Sequence, residues 1–284
     1  MEDTIAAVDL LGVTGAGGPP LDPFDARDPD YIRATLPALQ ALSEIYFRAD
    51  VSGLDRIPQS GPVLLVGNHS GGTMIADTFV LAQAFYDHFG PDRQFNQLAH
   101  DLVFKVPGLR TLVQQYGTVP ASPKNMTRAL EDDAALLVYP GGDEDSFRPS
   151  WETGEVNFAG RAGFVKLALE HGVPVVPIVA LGGQETALFL GRGKRLARVL
   201  QINRLARLKV MPLVLGPPFG VTLLDFPGRI PLPSKITIRI MPPIDLRKKL
   251  GRNPDIEAGY KLVSGRMQRT LTRLNNQRTI PVVG

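Results

Sequence analysis

The chain has 284 residues, 44% of them hydrophobic and 21% charged, which is enough for one large domain or two small ones around a sizeable core. It contains no cysteine, so disulfides, thiolate metal sites and cysteine nucleophiles are excluded. A formal net charge of +3 is too small to argue for nucleic acid, and the four histidines, at 69, 88, 100 and 171, lack metal-ligand spacing, so no metal is expected.

Residues 1–30, with Gly15-Ala-Gly-Gly-Pro-Pro20, read as an irregular arm. The opening Met1-Glu-Asp is acidic and lacks the basic-then-apolar order of a signal peptide, so a cytoplasmic location is expected. No run approaches 18 consecutive apolar residues, so no spanning helix is expected. Apolar positions at Ile32, Leu36, Leu39, Leu42 and Ile45 predict a helical lead-in over 31–48. The extended segment Val51 to Gly61 leads into a short buried strand, Val63 to Val66.

That strand stops at Gly67, and the chain turns through Asn68, His69, Ser70, Gly71 and Gly72. Thr73 is expected to cap a helix running to about Phe89. His69 therefore sits at the end of a buried strand, the rim where open α/β sheets bind ligands. Asp77 falls in the first helical turn, close enough to orient His69. A histidine with a carboxylate partner is the minimal equipment of a general base. The plainer alternative is an ordinary turn histidine between a strand and a helix.

Further on, strands are expected at Phe95–Leu98, Ala135–Tyr139, Val173–Leu181 and Lys235–Met241, and a short extended stretch at Gly117–Pro120. Helices are expected within 102–113, interrupted by Pro107-Gly108, then over 123–133 with Ser122 as cap, 161–171 closed by Gly172, and 255–275. This alternation predicts an α/β fold: a mostly parallel central sheet covered by helices, with an N-terminal helical extension. With no repeat and no long linker, residues 31–284 are expected to form a single domain with its core at about 50–245.

Several stretches in order resemble a known family. They are the strand ending in Asn68-His69, then Gly117-Thr-Val, then Tyr139-Pro-Gly-Gly142, then Val173-Pro-Val-Val-Pro-Ile178. Together they resemble the four blocks of the lysophospholipid and glycerolipid acyltransferases. The Pro-Gly-Gly form of the third block, the following Gly163-Phe-Val-Lys-Leu-Ala-Leu-Glu-His-Gly172 and Leu181-Gly-Gly-Gln-Glu185 are closest to one branch. It contains the second type of diacylglycerol acyltransferase and the plant phytyl-ester synthases. The resemblance implies a glycerolipid-acyltransferase-like fold, acyl-CoA as co-substrate, no cofactor and a lipid alcohol as acceptor. It implies a substrate surface of Asn68, Ser70, Gly71, Gly72, Gly117, Pro140, Gly141, Gly142, Glu144 and Glu185 around His69 and Asp77. Two departures stand out. The family usually places four residues between its His and Asp, and here there are seven, so Asp143, Glu144 and Asp145 are alternative partners for His69. The second block also lacks the Arg associated with phosphate-bearing acceptors.

Transfer of an acyl group from a thioester to an alcohol needs the hydroxyl deprotonated as it attacks. His69 is the residue in these blocks suited to do that near neutral pH. The N–H groups of Gly141 and Gly142 could stabilise the oxyanion, or the pair could be a plain turn. Gly191 to Lys209 carries many cations, no acid and apolar positions at Leu196, Val199, Leu200 and Leu205. Such a segment reads either as a membrane-surface element, making the protein peripheral on a membrane, or as a helix packed on the core with a solvated basic face. Two other functions compete: a serine esterase using Ser70, whose flanks match Gly-x-Ser-x-Gly only at Gly72, and a lipid-binding protein with a decayed active site.

Overall fold

The computed structural model describes residues 22–73, 75–105, 108–201, 209–225, 229–251, 253–280 and 282. Among them, ten strands are distributed over two sheets. In chain order they are β1 (Asp50–Ser52), β2 (Val63–Gly67), β3 (Phe95–Ala99), β4 (Thr118–Pro120) and β5 (Ala135–Val138). Then come β6 (Val175–Leu181), β7 (Leu188–Gly191), β8 (Leu213–Gly216), β9 (Gly220–Leu223) and β10 (Thr237–Ile240). The large sheet has the order β1-β10-β6-β2-β5-β3-β4. Its strands pair in parallel, except that β10 runs antiparallel to β6.

The strand that carries the site, β2, lies in the middle, between β6 and β5. Its residues Val63 to Val66 are fully buried because both faces of the sheet are covered. Alternate side chains enter two different cores. Leu64 and Val66 pack with Ala129, Phe164, Val263 and Met267, from the helices Pro123–Glu131, Gly163–His171 and Ile256–Gln277. Val63 and Leu65 pack with Ile32, Val80 and Phe85, from the helices Pro29–Ala41 and Ala76–Phe89. Burying each such side chain is worth about 1.5–3 kcal/mol. The platform under the strand end is therefore anchored by packing on both of its faces.

The expected helices form with shifted ends. The lead-in is α-helical to Ala41 and continues as a π turn, Leu42–Tyr46. Ser122 caps its helix through Asn125 N–H, and Gly172 closes the next in the left-handed conformation. Thr73 is not a cap. The helix starts at Ala76 without a side-chain cap, and Thr73 instead donates to Asp225 from its N–H and hydroxyl, at 3.0 and 2.7 Å. Residues 1–21 of the expected N-terminal arm lie outside the described residues.

The small antiparallel sheet β7-β8-β9 was not anticipated. It lies between β6 and β10 in the chain, and its inner residues Phe189 and Val214 pack with Phe147, Ala187 and Val210. Within the basic segment 191–209, a short helix spans Lys194–Val199, while 202–208 lie outside the described residues. Among the described residues, no helix is long and apolar enough to cross a membrane.

Candidate active site

Strand β2 ends at Gly67 and delivers His69 to the rim of the sheet. A Cβ on Gly67 would sit 2.5 Å from the Tyr139 ring, so only glycine lets that ring lie against the strand. Tyr139 is thereby placed flat under the His69 imidazole, with centroids 4.1 Å apart and planes at 20°. Gly71 and Gly72 then adopt φ of +95° and +67°, a left-handed turn that favours glycine. This turn takes up the longer loop and returns Asp77 to the histidine. Asp77 Oδ1 lies 4.0 Å from His69 Nδ1, and its side chain is 1% exposed. Nδ1 is buried, without a hydrogen-bond partner, and faces Asp77, which leaves Nε2 as the other ring nitrogen.

The main chain of His69 is held by a buried ion pair. Asp145 Oδ2 accepts from His69 N–H at 2.6 Å, and Arg148 Nη2 donates to the His69 carbonyl at 2.7 Å. The two side chains are 3.3 Å apart. Burial pushes the His69 pKa down to about 3, and the nearby Arg148 cation adds to the effect. The imidazole is thus neutral at physiological pH, the form a general base needs. Burial pushes Asp77 up to about 7, against the opposing hydrogen bonds from Ser70 and Thr78.

Of the carboxylates that could partner His69, Asp77 is the one that faces its ring. Asp145 engages the His69 main chain. Asp143 accepts from Arg161 at 3.0 Å, and Glu144 pairs with Lys194 at 2.6 Å. Several expected substrate residues have structural partners. Asn68 exchanges two hydrogen bonds with the Ala180 main chain, 2.8 and 2.9 Å, and so ties β2 to β6. The Ser70 hydroxyl donates to Asp77 Oδ2 at 3.0 Å. Glu185 is gripped by Arg278 through both oxygens at 2.7 Å. Gly142 N–H closes a turn onto the Tyr139 carbonyl at 3.1 Å, so it is already engaged and is not a free oxyanion donor. Pro140 and Gly141 lie in that same turn. Gly117 is not brought to His69. It precedes Thr118, which registers through Gln97 and Leu137 with Leu65, deep within the sheet.

Two further residues build this site without a sequence signal: Asp225 and Arg229. They form a buried 3.0 Å ion pair behind the glycine turn. Arg229 Nη2 donates to the Gly71 carbonyl at 2.8 Å and to Thr186 at 3.0 Å. A Cβ on Gly72 would fall 2.6 Å from Asp225 Oδ2, so this turn is closed by contact as well as by φ.

His69, Asp77, Tyr139, Asp145 and Arg148 lie within a segment, residues 48–181, that matches the family model described as Acyltransferase, whereas Asp225 and Arg229 lie beyond it. The likeness of this segment is thus to the acyltransferases. A protein of Mycobacterium tuberculosis, described as uncharacterized, is 30% identical over 218 residues, covering 76% of this chain and 58% of its own. A Bos taurus protein named "DGAT1/2-independent enzyme synthesizing storage lipids" is 29% identical over 53% of this chain and 43% of its own. Phytyl ester synthase 1 of Arabidopsis thaliana is 25% identical over 48% of this chain and 20% of its own. The chain thus spans little more than half the length of the mycobacterial relative and less of the others. The fold of the chain recurs in the crystal structure of the 1-acyl-sn-glycerophosphate acyltransferase PlsC from Thermotoga maritima. The TM-score is 0.55 at 17% identity, over 88% of this chain and 84% of that one.

Proposed function

We propose that this protein transfers a fatty acyl group from a thioester, with acyl-CoA as donor, to a lipid alcohol such as a lysophospholipid or an acylglycerol. The observation that carries this reading is a neutral His69 at a strand end, its side chain 13% exposed and its Nδ1 turned to Asp77, inside the segment that matches the Acyltransferase family. The acceptor hydroxyl gives its proton to His69 Nε2 as its oxygen attacks the thioester carbonyl carbon. The tetrahedral intermediate collapses, the C–S bond breaks, and the thiolate takes the proton back from the imidazolium. Asp77 steadies that imidazolium from the other side. No covalent enzyme intermediate, cofactor or metal enters the scheme.

The serine-esterase reading is weaker, since Ser70 is buried and its proton is directed to Asp77. The decayed-site reading rested on the long His-to-Asp spacing, which the glycine turn spans. The test is to incubate the purified protein with labelled long-chain acyl-CoA and a panel of lysophospholipid, monoacylglycerol, diacylglycerol and fatty-alcohol acceptors. Transfer to at least one acceptor, reduced about 10²–10⁴-fold in His69→Ala, is expected. Transfer unaffected by His69→Ala removes the assignment. A fluorophosphonate label on Ser70 would revive the esterase.

A further inference from the structure

Among the described residues, eighteen large apolar side chains are exposed, and twelve of them fall between Leu188 and Leu232. Scattered exposed apolar residues are ordinary, but this concentration is not. It has a regular origin. In β7, β8 and β9 every second residue points away from the core: Leu188, Leu190, Leu213, Leu215, Val221 and Leu223. These six are 39–58% exposed, whereas the alternating Phe189 and Val214 are fully buried. An antiparallel sheet with one wet face normally carries polar residues there. This one is apolar on both sides, and Phe219, at the β8–β9 turn, extends the outer face at 59% exposure.

The structure assigns this outer face to docking on an anionic lipid bilayer. Two observations favour that occupant. The short helix Lys194–Val199, directly after β7, exposes Arg195 and Arg198, and among the described residues no carboxylate pairs with either. Cations beside an apolar face match an anionic lipid surface. A second copy of the chain is the alternative occupant, and the experiment below separates the two. Finally, Trp151, the sole tryptophan, is 70% exposed at the edge of β7, where its neighbour Ser150 accepts from Phe189 N–H at 2.9 Å. Tryptophan is favoured at the headgroup level of a bilayer. The face is also joined to the candidate active site. Phe189 packs behind Gly72, and Arg229, over the Phe189 ring, holds the Gly71 carbonyl. Docking would therefore set the His69 loop close to the lipid. The surface stands on its own observations, and its test does not depend on acyl transfer.

The experiment is sedimentation of the full chain with phosphatidylcholine vesicles, with and without phosphatidylglycerol, together with Trp151 emission. Wild type should co-sediment with the anionic vesicles, and its emission should shift to the blue. A Leu213→Ser/Leu215→Ser/Val221→Ser variant should bind at least about 100-fold more weakly. An Arg195→Gln/Arg198→Gln variant should bind about 10- to 30-fold more weakly at low salt, with the difference shrinking at high salt. Should the triple variant fail to fold, Phe219→Ser, on a turn, tests the same face and should still weaken binding several-fold. Wild-type sedimentation of the folded triple variant, or of Phe219→Ser, overturns the proposal. So does a wild-type dimer that the triple variant converts to monomer while neither binds vesicles, since the face then belongs to a second copy.

Discussion

Tyr139 lies face to face with His69, 4.1 Å from ring to ring, and owes that position to the missing side chain of Gly67. The stack fixes the plane of the imidazole and so the direction of Nε2. Thr78 donates to the Tyr139 hydroxyl at 2.8 Å and its N–H donates to Asp77 at 2.8 Å, so Tyr139 and Asp77, the two side chains that face the His69 ring, share one support. Gly67→Ala should displace the Tyr139 ring and lower kcat of the proposed transfer by at least about 10-fold, with a smaller effect on KM. Tyr139→Phe keeps the ring and should be much milder. Equal activity of Gly67→Ala and wild type would show that the stack does not position the base.

The two buried ionisable groups should shape the pH profile of activity. His69 stays neutral down to about pH 3, so it does not supply an acid limb near 6.5. Asp77 loses its proton only around pH 7. Its carboxylate form best stabilises the imidazolium, so kcat/KM should rise with pH through about 7 with the slope of one proton. Asp77→Asn should be slower and flat across that range. A limb that persists in Asp77→Asn would assign it to another group.

The same shifts act on stability with opposite signs. From 3.8 to about 7 the folded state keeps a proton on Asp77 that the unfolded chain has lost, so stability falls as pH rises. From about 3 to 6.5 the unfolded chain holds a proton on His69 that the folded state lacks, so stability rises with pH. Each slope reaches about 1.4 kcal/mol per pH unit, and between pH 4.5 and 5.5 they nearly cancel. Asp77→Asn should expose the rising slope and His69→Gln the falling one. Urea midpoints of both variants against wild type at pH 4.5 and 5.5 check this. Parallel lines for all three proteins would refute it.

Arg148 and Asp145 should behave as a unit. Removing one partner of a buried pair costs about 3–5 kcal/mol, because the other charge is left uncompensated. Arg148→Met should therefore destabilise strongly and also free the His69 carbonyl. Arg148→Met combined with Asp145→Leu should cost less than the sum of the two single changes. Simple additivity in a double-mutant cycle would show that the two charges are not coupled.

The central sheet was legible because its strands are short apolar runs separated by helical periodicity and glycine turns. His69 and Asp77 were legible because they bracket such a turn. The β7–β9 sheet was not, for a physical reason. A half-exposed strand announces itself by alternating apolar and polar residues. Leu188-Phe-Leu190 and Leu213-Val-Leu215 are apolar on both sides, so the alternation is erased. Asp225 and Arg229 were missed because they reach the glycine turn across about 150 positions of sequence, at Thr73 and Gly71. No local pattern records such a contact. Gly142 failed as an oxyanion donor because its N–H turns back onto Tyr139, a matter of backbone direction that a Gly-Gly pair leaves open.

The Asp225–Arg229 pair has a consequence for anyone wishing to make this protein easier to handle. The segment between β6 and β10 looks like a removable appendage with a greasy exterior, and excising it is the obvious route to a minimal soluble enzyme. Yet the segment also supplies the two charges that brace the turn behind His69. Trimming it would leave the His69 turn without that brace. Solubility has to be gained by repainting its outer leucines with polar residues, leaving the inward side of the segment as it is.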